Sequence, residues 1–350
     1  MDDQVKGTRM SNDHSKINSI VRRERAEEYL FFSLVAFAGT VVFTRAFLHL
    51  TGFPQLGNDI LHIAHALWGG LFLFIAVLLP LTMANRWTLQ TSAVLSGIGI
   101  GLFIDEVGKF ITQNNDYFYP PAASLIYGFF LLCVFVFVVF RRARHADPRQ
   151  AMYNVLDGFQ DLLDGDLDRA EAERIETQLA IAMWSDREEI KSMARVLNEF
   201  LEGQKSHLPT ARLSLLKRIV RWTDSIGMRL GRRVHSMIVA TILILWLLAV
   251  IGYIVVLVHS GTNLNPQVLR WRDALIGIQS VVGVLMLIAV IAWFSRREET
   301  GLKFAILGFL LSLVALQMYY FYISQFSATV TTLVQFGFLQ TMTTYRRWYF

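Results

Sequence analysis

The chain places Asp105, Glu106 and Lys109 inside GIGIGLFIDEVGKFITQ, a run that otherwise reads as a membrane helix. Each such charge costs roughly 2.5–3.5 kcal/mol at mid-bilayer, while a Leu, Ile or Phe returns only about 0.3–0.6 kcal/mol. The neighbouring apolar side chains cannot offset three charges, so the charges need partners. The i, i+4 spacing predicts that Asp105 pairs with Lys109. Glu106 points about 100° away and needs a partner from another helix: Arg45, if the charges simply cancel in a buried ion-pair network, while the other reading holds Glu106 unpaired for function. A polar, aromatic segment follows, with Asn114, Asn115, Asp116 and Tyr117.

Other ionisable residues fall at matching depths. Arg45 and His49 close the first apolar run on one face, and Asp59, His62 and His65 open the second on one face. Three helices can thus point cations, carboxylates and imidazoles into one pocket. One chemistry this set supports is proton transfer, with Glu106, Asp105, His62 and His65 as the catalytic candidates. Arg45, His49, Asp59, Lys109, Asn115, Asp116 and Tyr117 are the substrate-binding candidates. His62, His65 and Glu106 also form a ligand set that zinc accepts. HxxH carries little information by itself, and no cofactor is expected.

The elements that position these residues are apolar runs of about 20 residues, long enough to span a bilayer. The chain has 350 residues, 54% of them hydrophobic, and a mean hydropathy of +0.41. The expected fold is all-α: eight membrane helices, since backbone in lipid must satisfy itself. They fall into two four-helix halves, 29–144 and 234–350, after a polar arm at 1–28. A helical insert at 145–233 separates them. The net charge of +5 does not indicate nucleic acid, because the basic residues flank the spans. Arg22-Arg23, Arg86, Arg141-Arg142, Arg232-Arg233, Arg296-Arg297 and Arg346-Arg347 all fall on one side, which places both termini and the insert in the cytoplasm. The expected location is the inner or plasma membrane. The lone Cys133 excludes an intrachain disulfide.

Three features refine this plan. Gly69-Gly70 would let the second span approach a neighbour closely. In the insert, Met152, Val155, Leu156, Phe159, Leu162 and Leu163 form one stripe, and Ile190, Met193, Leu197, Phe200 and Leu201 another. Asp168 with Glu171, and Ser185 with Glu188, read as capping boxes. An offset of 210 relates Arg22-Arg23 to Arg232-Arg233, His49 to His259 and Arg86 to Arg296, a pattern of parallel duplication.

Asp59 and His62 near the start of one span, Asp105-Glu106 late in the next, then Pro121 make an order that resembles the VanZ-like integral membrane proteins. The resemblance covers about residues 58–128. It departs from the family pattern at Ile60, Lys109 and Ala122-Ala123. It implies a role at the cell envelope without fixing a reaction.

The expected function is to bind or process an amphiphilic, lipid-linked substrate at an outward-facing pocket, with membrane lipids as partners. An ion or solute transporter is the alternative. A scaffold that binds a cytoplasmic protein through 145–233 is the third reading. The topology can be tested by labelling from outside in a Cys133→Ser background. Cysteines at Asn115 and Asn263 should react and one at Gly203 should not; reaction at 203 would invert the assignment.

Overall fold

The computed structural model describes residues 20–23, 25–52, 64–113, 119–141, 147–205, 208, 215–259 and 266–350, the stretch 215–230 by backbone alone. All regular structure among them is helical. The helices are α1 (Ala26–Thr51), α2 (His65–Thr82), α3 (Trp87–Asp105), the single turn α4 (Val107–Ile111) and α5 (Pro120–Arg141). The insert supplies α6 (Pro148–Leu163), α7 (Arg169–Ala182) and α8 (Glu188–Gln204). Then come α9 (Leu215–His259), α10 (Pro266–Phe294), α11 (Glu298–Leu311), a π-helical turn (Ser312–Leu316), α12 (Gln317–Ile323) and α13 (Gln325–Tyr349).

Seven stretches among the described residues are long and apolar enough to cross a membrane. They are α1, α2, α3, α5, α9 from Gly231, α10, and the composite Glu298–Ile323. Gly231, at φ 65°, breaks α9 where the span begins, a conformation that only glycine adopts without penalty. Where an eighth span is expected, the structure has α13, a helix of 25 residues that is not among the seven, because Thr329, Thr331, Thr332, Gln335 and Gln340 lower its hydropathy. Part of its polarity is turned inward. Thr332 and Gln335 are buried, whereas Val330, Leu333 and Val334 are exposed.

The chain divides into two compact units. The first comprises residues 1–36, 72–98 and 136–213. Its apolar core lies in the insert, where Met152 and Val155 of α6, Ile175 and Leu179 of α7, and Ala194 and Leu201 of α8 are buried. Asp168 and Glu171 make the expected capping box at α7. Ser185 and Glu188 do not: the Ser185 hydroxyl accepts from Arg187 N–H at 3.2 Å, one residue ahead of the helix. The two predicted stripes are only partly core. Leu156, Leu163, Met193 and Phe200 are exposed, and α6 also turns acidic residues to a set of arginines. Asp161 accepts from Arg86, which lies between α2 and α3, and Arg25, just before α1, bonds Glu171. Asp157 lies 3.7 Å from Arg23 and 3.8 Å from Arg86, and Asn85 donates to Asp164 at 3.1 Å. Acidic residues one and two turns apart on α6 thus grip the ends of the membrane helices.

The second unit comprises residues 37–71, 99–135 and 214–350. Its core runs along α9, α10 and α11, with Leu243, Val250 and Leu257 facing Leu275, Val282 and Ala289. The spacing of seven in both sets is that of helices packed nearly antiparallel or parallel by knobs into holes. The helix α5 joins α11 and α12 through side chains that bond backbone. Tyr127 donates to Leu313 O at 2.8 Å and Ser124 to Met318 O at 2.7 Å. The π turn explains the first bond. Within it Gln317 N–H reaches Ser312 O, five residues back, so the ladder is shifted by one residue and Leu313 O can take a hydroxyl.

Of the glycine pair on α2, Gly69 makes the close approach. A Cβ there would lie 2.7 Å from Gly99 O and 3.0 Å from Phe103 N, both backbone atoms of α3 that cannot swing aside. Gly70 meets nothing within 4 Å. Gly69→Ala should therefore cost about 1–3 kcal/mol through overpacking, seen as a lower melting temperature of the detergent-solubilised protein. Gly70→Ala should melt like the parent, and equal melting of the two variants would refute the assignment.

Candidate functional site

The charges of the α3–α4 junction are in the second unit, and the backbone there decides how they pair. Regular helix stops at Asp105, and Glu106 takes φ −88°, ψ 4° before α4 starts at Val107. That break cancels the i, i+4 geometry expected between Asp105 and Lys109. Lys109 turns to Glu106 instead, Nζ to Oε1 at 2.8 Å. Asp105, fully buried, takes Arg45 of α1, Nε to Oδ1 at 2.5 Å. The expected pairs, Asp105 with Lys109 and Arg45 with Glu106, are thus exchanged.

His65, the first residue of α2, faces both carboxylates. Its Nε2 is 3.4 Å from Asp105 Oδ2 and its Nδ1 is 3.9 Å from Glu106 Oε2. The next residue helps to hold Glu106: Ala66 N–H donates to Oε2 at 3.0 Å. This N–H belongs to the first turn of α2, where helix donors have no intrahelical acceptor and carboxylates are favoured. Glu106 is therefore bound on both oxygens. Both carboxylates thus face cationic partners, and the imidazole of His65 lies between them.

Arg45 also donates to Gln325 Oε1, at the start of α13. Gln325 is a site residue that the sequence did not assign. Its signal was weak, an amide next to Ser324 at a helix start. Phe326 beside it packs on the His49 ring, with centroids 4.8 Å apart. His49 thus contacts an aromatic ring one turn from Arg45 and is not among the side chains gathered at Asp105 and Glu106. Asp59, His62, Asn115, Asp116 and Tyr117 lie outside the described residues. Among the described residues no group of three His, Cys, Asp or Glu side chains is arranged to hold a metal ion.

Arg45 and Gln325 line a cavity of about 80 Å³, together with Ala46, Ala123 and Phe326. It shares Val41, Val42, Ile126, Phe321 and Thr329 with a larger cavity of about 120 Å³, whose further lining is almost wholly apolar. No protein-family model, curated protein or solved structure matches the chain, and the resemblance to VanZ-like proteins gains no support from them.

The exchanged pairing orders the stabilities of two variants. Arg45 is only 10% exposed and Asp105 not at all, so Asp105→Asn breaks a buried ion pair, a loss of about 3–5 kcal/mol. Glu106→Gln keeps the acceptor for Ala66 N–H, and Lys109, 26% exposed, can turn to water. Asp105→Asn should melt several degrees below Glu106→Gln in thermal denaturation. The reverse order would restore the pairing expected from spacing.

Proposed function

We propose that the protein is an eight-span membrane protein that holds the polar group of an amphiphilic, lipid-linked substrate against Arg45, His65 and Gln325. The site is taken to face the outer side, opposite the basic ends of the spans. The observation that carries this reading is the position of Arg45. Its guanidinium is bound to Asp105 and Gln325, and the residue lines a cavity whose remaining walls are mostly hydrocarbon. A cation with a fixed counter-ion at the mouth of an apolar cavity suits a head group with a tail, and suits a wholly hydrophilic solute poorly.

The eighth crossing is supported by two bonds. Glu298 begins the composite span, and Tyr345, near the end of α13, donates to it at 2.8 Å. Arg232, at the start of the fifth span, lies 3.4 Å from the same carboxylate. After the composite span has left that side, α13 must cross back to bring Tyr345 there. Its inward Thr and Gln residues and outward Val and Leu residues suit such a crossing.

Transport is the second reading. It is favoured by the buried Gln279, which donates to Tyr320 at 2.8 Å, and Gln317, which donates to Thr331 at 3.0 Å. These amides are neutral and bonded to neighbours, which suits helix association equally well.

Native mass spectrometry of the full chain, released from nanodiscs, tests the choice. The double variant Arg45→Gln/Asp105→Asn removes both charges together and leaves neither unbalanced. The parent should retain one amphiphile, and the double variant at least tenfold less, with Lys303→Gln as an exposed control. Equal retention by parent and double variant would reject the head-group site. Ion flux in proteoliposomes that is lost on Gln317→Leu would establish transport instead.

A further inference from the structure

We propose that the larger apolar cavity is a subsite for one hydrocarbon tail of that amphiphile, running from Arg45 towards Phe37 along α1. The proposal rests on the head-group reading given above. The two cavities share five lining residues, so they lie side by side, with Arg45 and Gln325 lining the smaller one. Beyond the shared residues the larger one is walled by Phe37, Tyr127, Phe130, Leu333 and Phe336. Phe37 and Arg45 are eight residues apart on one helix, about 12 Å at 1.5 Å per residue. A tail of that length would lie along α1 in a cleft whose floor includes the buried Phe37 and Tyr127 and which opens beside the exposed Val42 and Leu333.

The walls are built to stay apart. Tyr127 is buried and stacked on Phe321, with centroids 4.6 Å apart, and its hydroxyl is spent on Leu313 O. It therefore offers the cavity only its ring. Phe37 meets Phe129 edge to face at 5.6 Å, and Phe130 meets Phe336 at 6.2 Å in the same manner. Rings held against each other cannot fold into the space between them, because cores repack only at the cost of strained rotamers. The other occupants to consider are annular lipid without preference and a neighbouring helix. The first would not favour this path over the outer faces of α9 and α10. The second would not fit a cavity of about 120 Å³.

The probe is a phosphatidylglycerol carrying a diazirine midway along one tail, in nanodiscs with the full-length protein. Photoadducts should concentrate on residues 37–42 and 332–336. Ala38→Phe, which fills the inner part of the path, should lower them at least fivefold, while Phe130→Ala, which widens it, should keep or raise them. Adducts spread equally over Leu245 and Leu287, and unchanged in Ala38→Phe, would overturn the tail subsite. If Ala38→Phe fails to give a monodisperse protein, Phe130→Ala decides, since a loss of adducts on widening would also overturn it. Adducts on 37–42 that persist at full yield in Arg45→Gln/Asp105→Asn would keep the tail subsite and reject the head-group reading alone.

Discussion

The second unit depends on one buried ion pair, Arg45 with Asp105. A guanidinium and a carboxylate taken out of water lose several kcal/mol of hydration each, and only good geometry with further hydrogen bonds returns it. Here the further bond comes from Gln325, and the imidazole of His65 faces the other carboxylate oxygen. The pair thus recruits side chains from α1, α2, α3 and α13. None of these helices can rotate freely once it forms, because rotation would leave a charge in hydrocarbon. The close contact of Gly69 with the α3 backbone brings the start of α2 near enough for His65 and Ala66 to reach the carboxylates. Packing and electrostatics therefore depend on the same approach of two helices.

How much of this was legible follows from which forces are local. The spans, the close approach at Gly69 and the capping box at Asp168 follow from runs and spacings within a few residues, and the sequence shows them. That Arg45, His65, Asp105, Glu106 and Lys109 share a neighbourhood was legible too, because charges in apolar runs must find one another. Their pairing was not. It turns on the backbone at Glu106, where a single residue near φ −88°, ψ 4° sends Lys109 to Glu106 and leaves Asp105 for Arg45. Helical spacing rules presuppose an unbroken helix, and nothing in Ile104-Asp105-Glu106-Val107 announces a break. Gln325 was hidden for another reason: its partner is 280 residues away.

The missing hydropathy of α13 has a similar origin. A window average treats all faces of a helix alike, yet in a bundle only the outer face meets lipid. Thr332 and Gln335 are buried while Val330, Leu333 and Val334 are exposed, so part of the outer face of α13 is more apolar than its average. The offset of 210 adds a detail to this half of the chain. It carries Asp105 and Glu106 onto Ala315 and Leu316, which lie in the π turn Ser312–Leu316. Regular helix is thus interrupted at both of these places in the chain. In one the departure redirects charges, and in the other it frees a carbonyl for Tyr127.

In the first unit, the basic residues that mark topology are also structural. Arg25 precedes α1, Arg86 joins α2 to α3, and their carboxylate partners Asp161 and Glu171 follow α5. These bonds can form only if all three places are on the same side of the membrane. Two helices, α1 and α2, must then separate Arg25 from Arg86 by a full excursion, and α3 and α5 must do the same between Arg86 and the insert. If these helices cross a membrane, the ion pairs allow only an even number of crossings between each pair of places. Positive charge is read during insertion, before the insert can fold, whereas the bonds to α6 and α7 come after it. The same arginines can therefore serve both steps: unpaired, they orient the spans, and once neutralised by Asp161 and Glu171, they fasten the insert to the span ends.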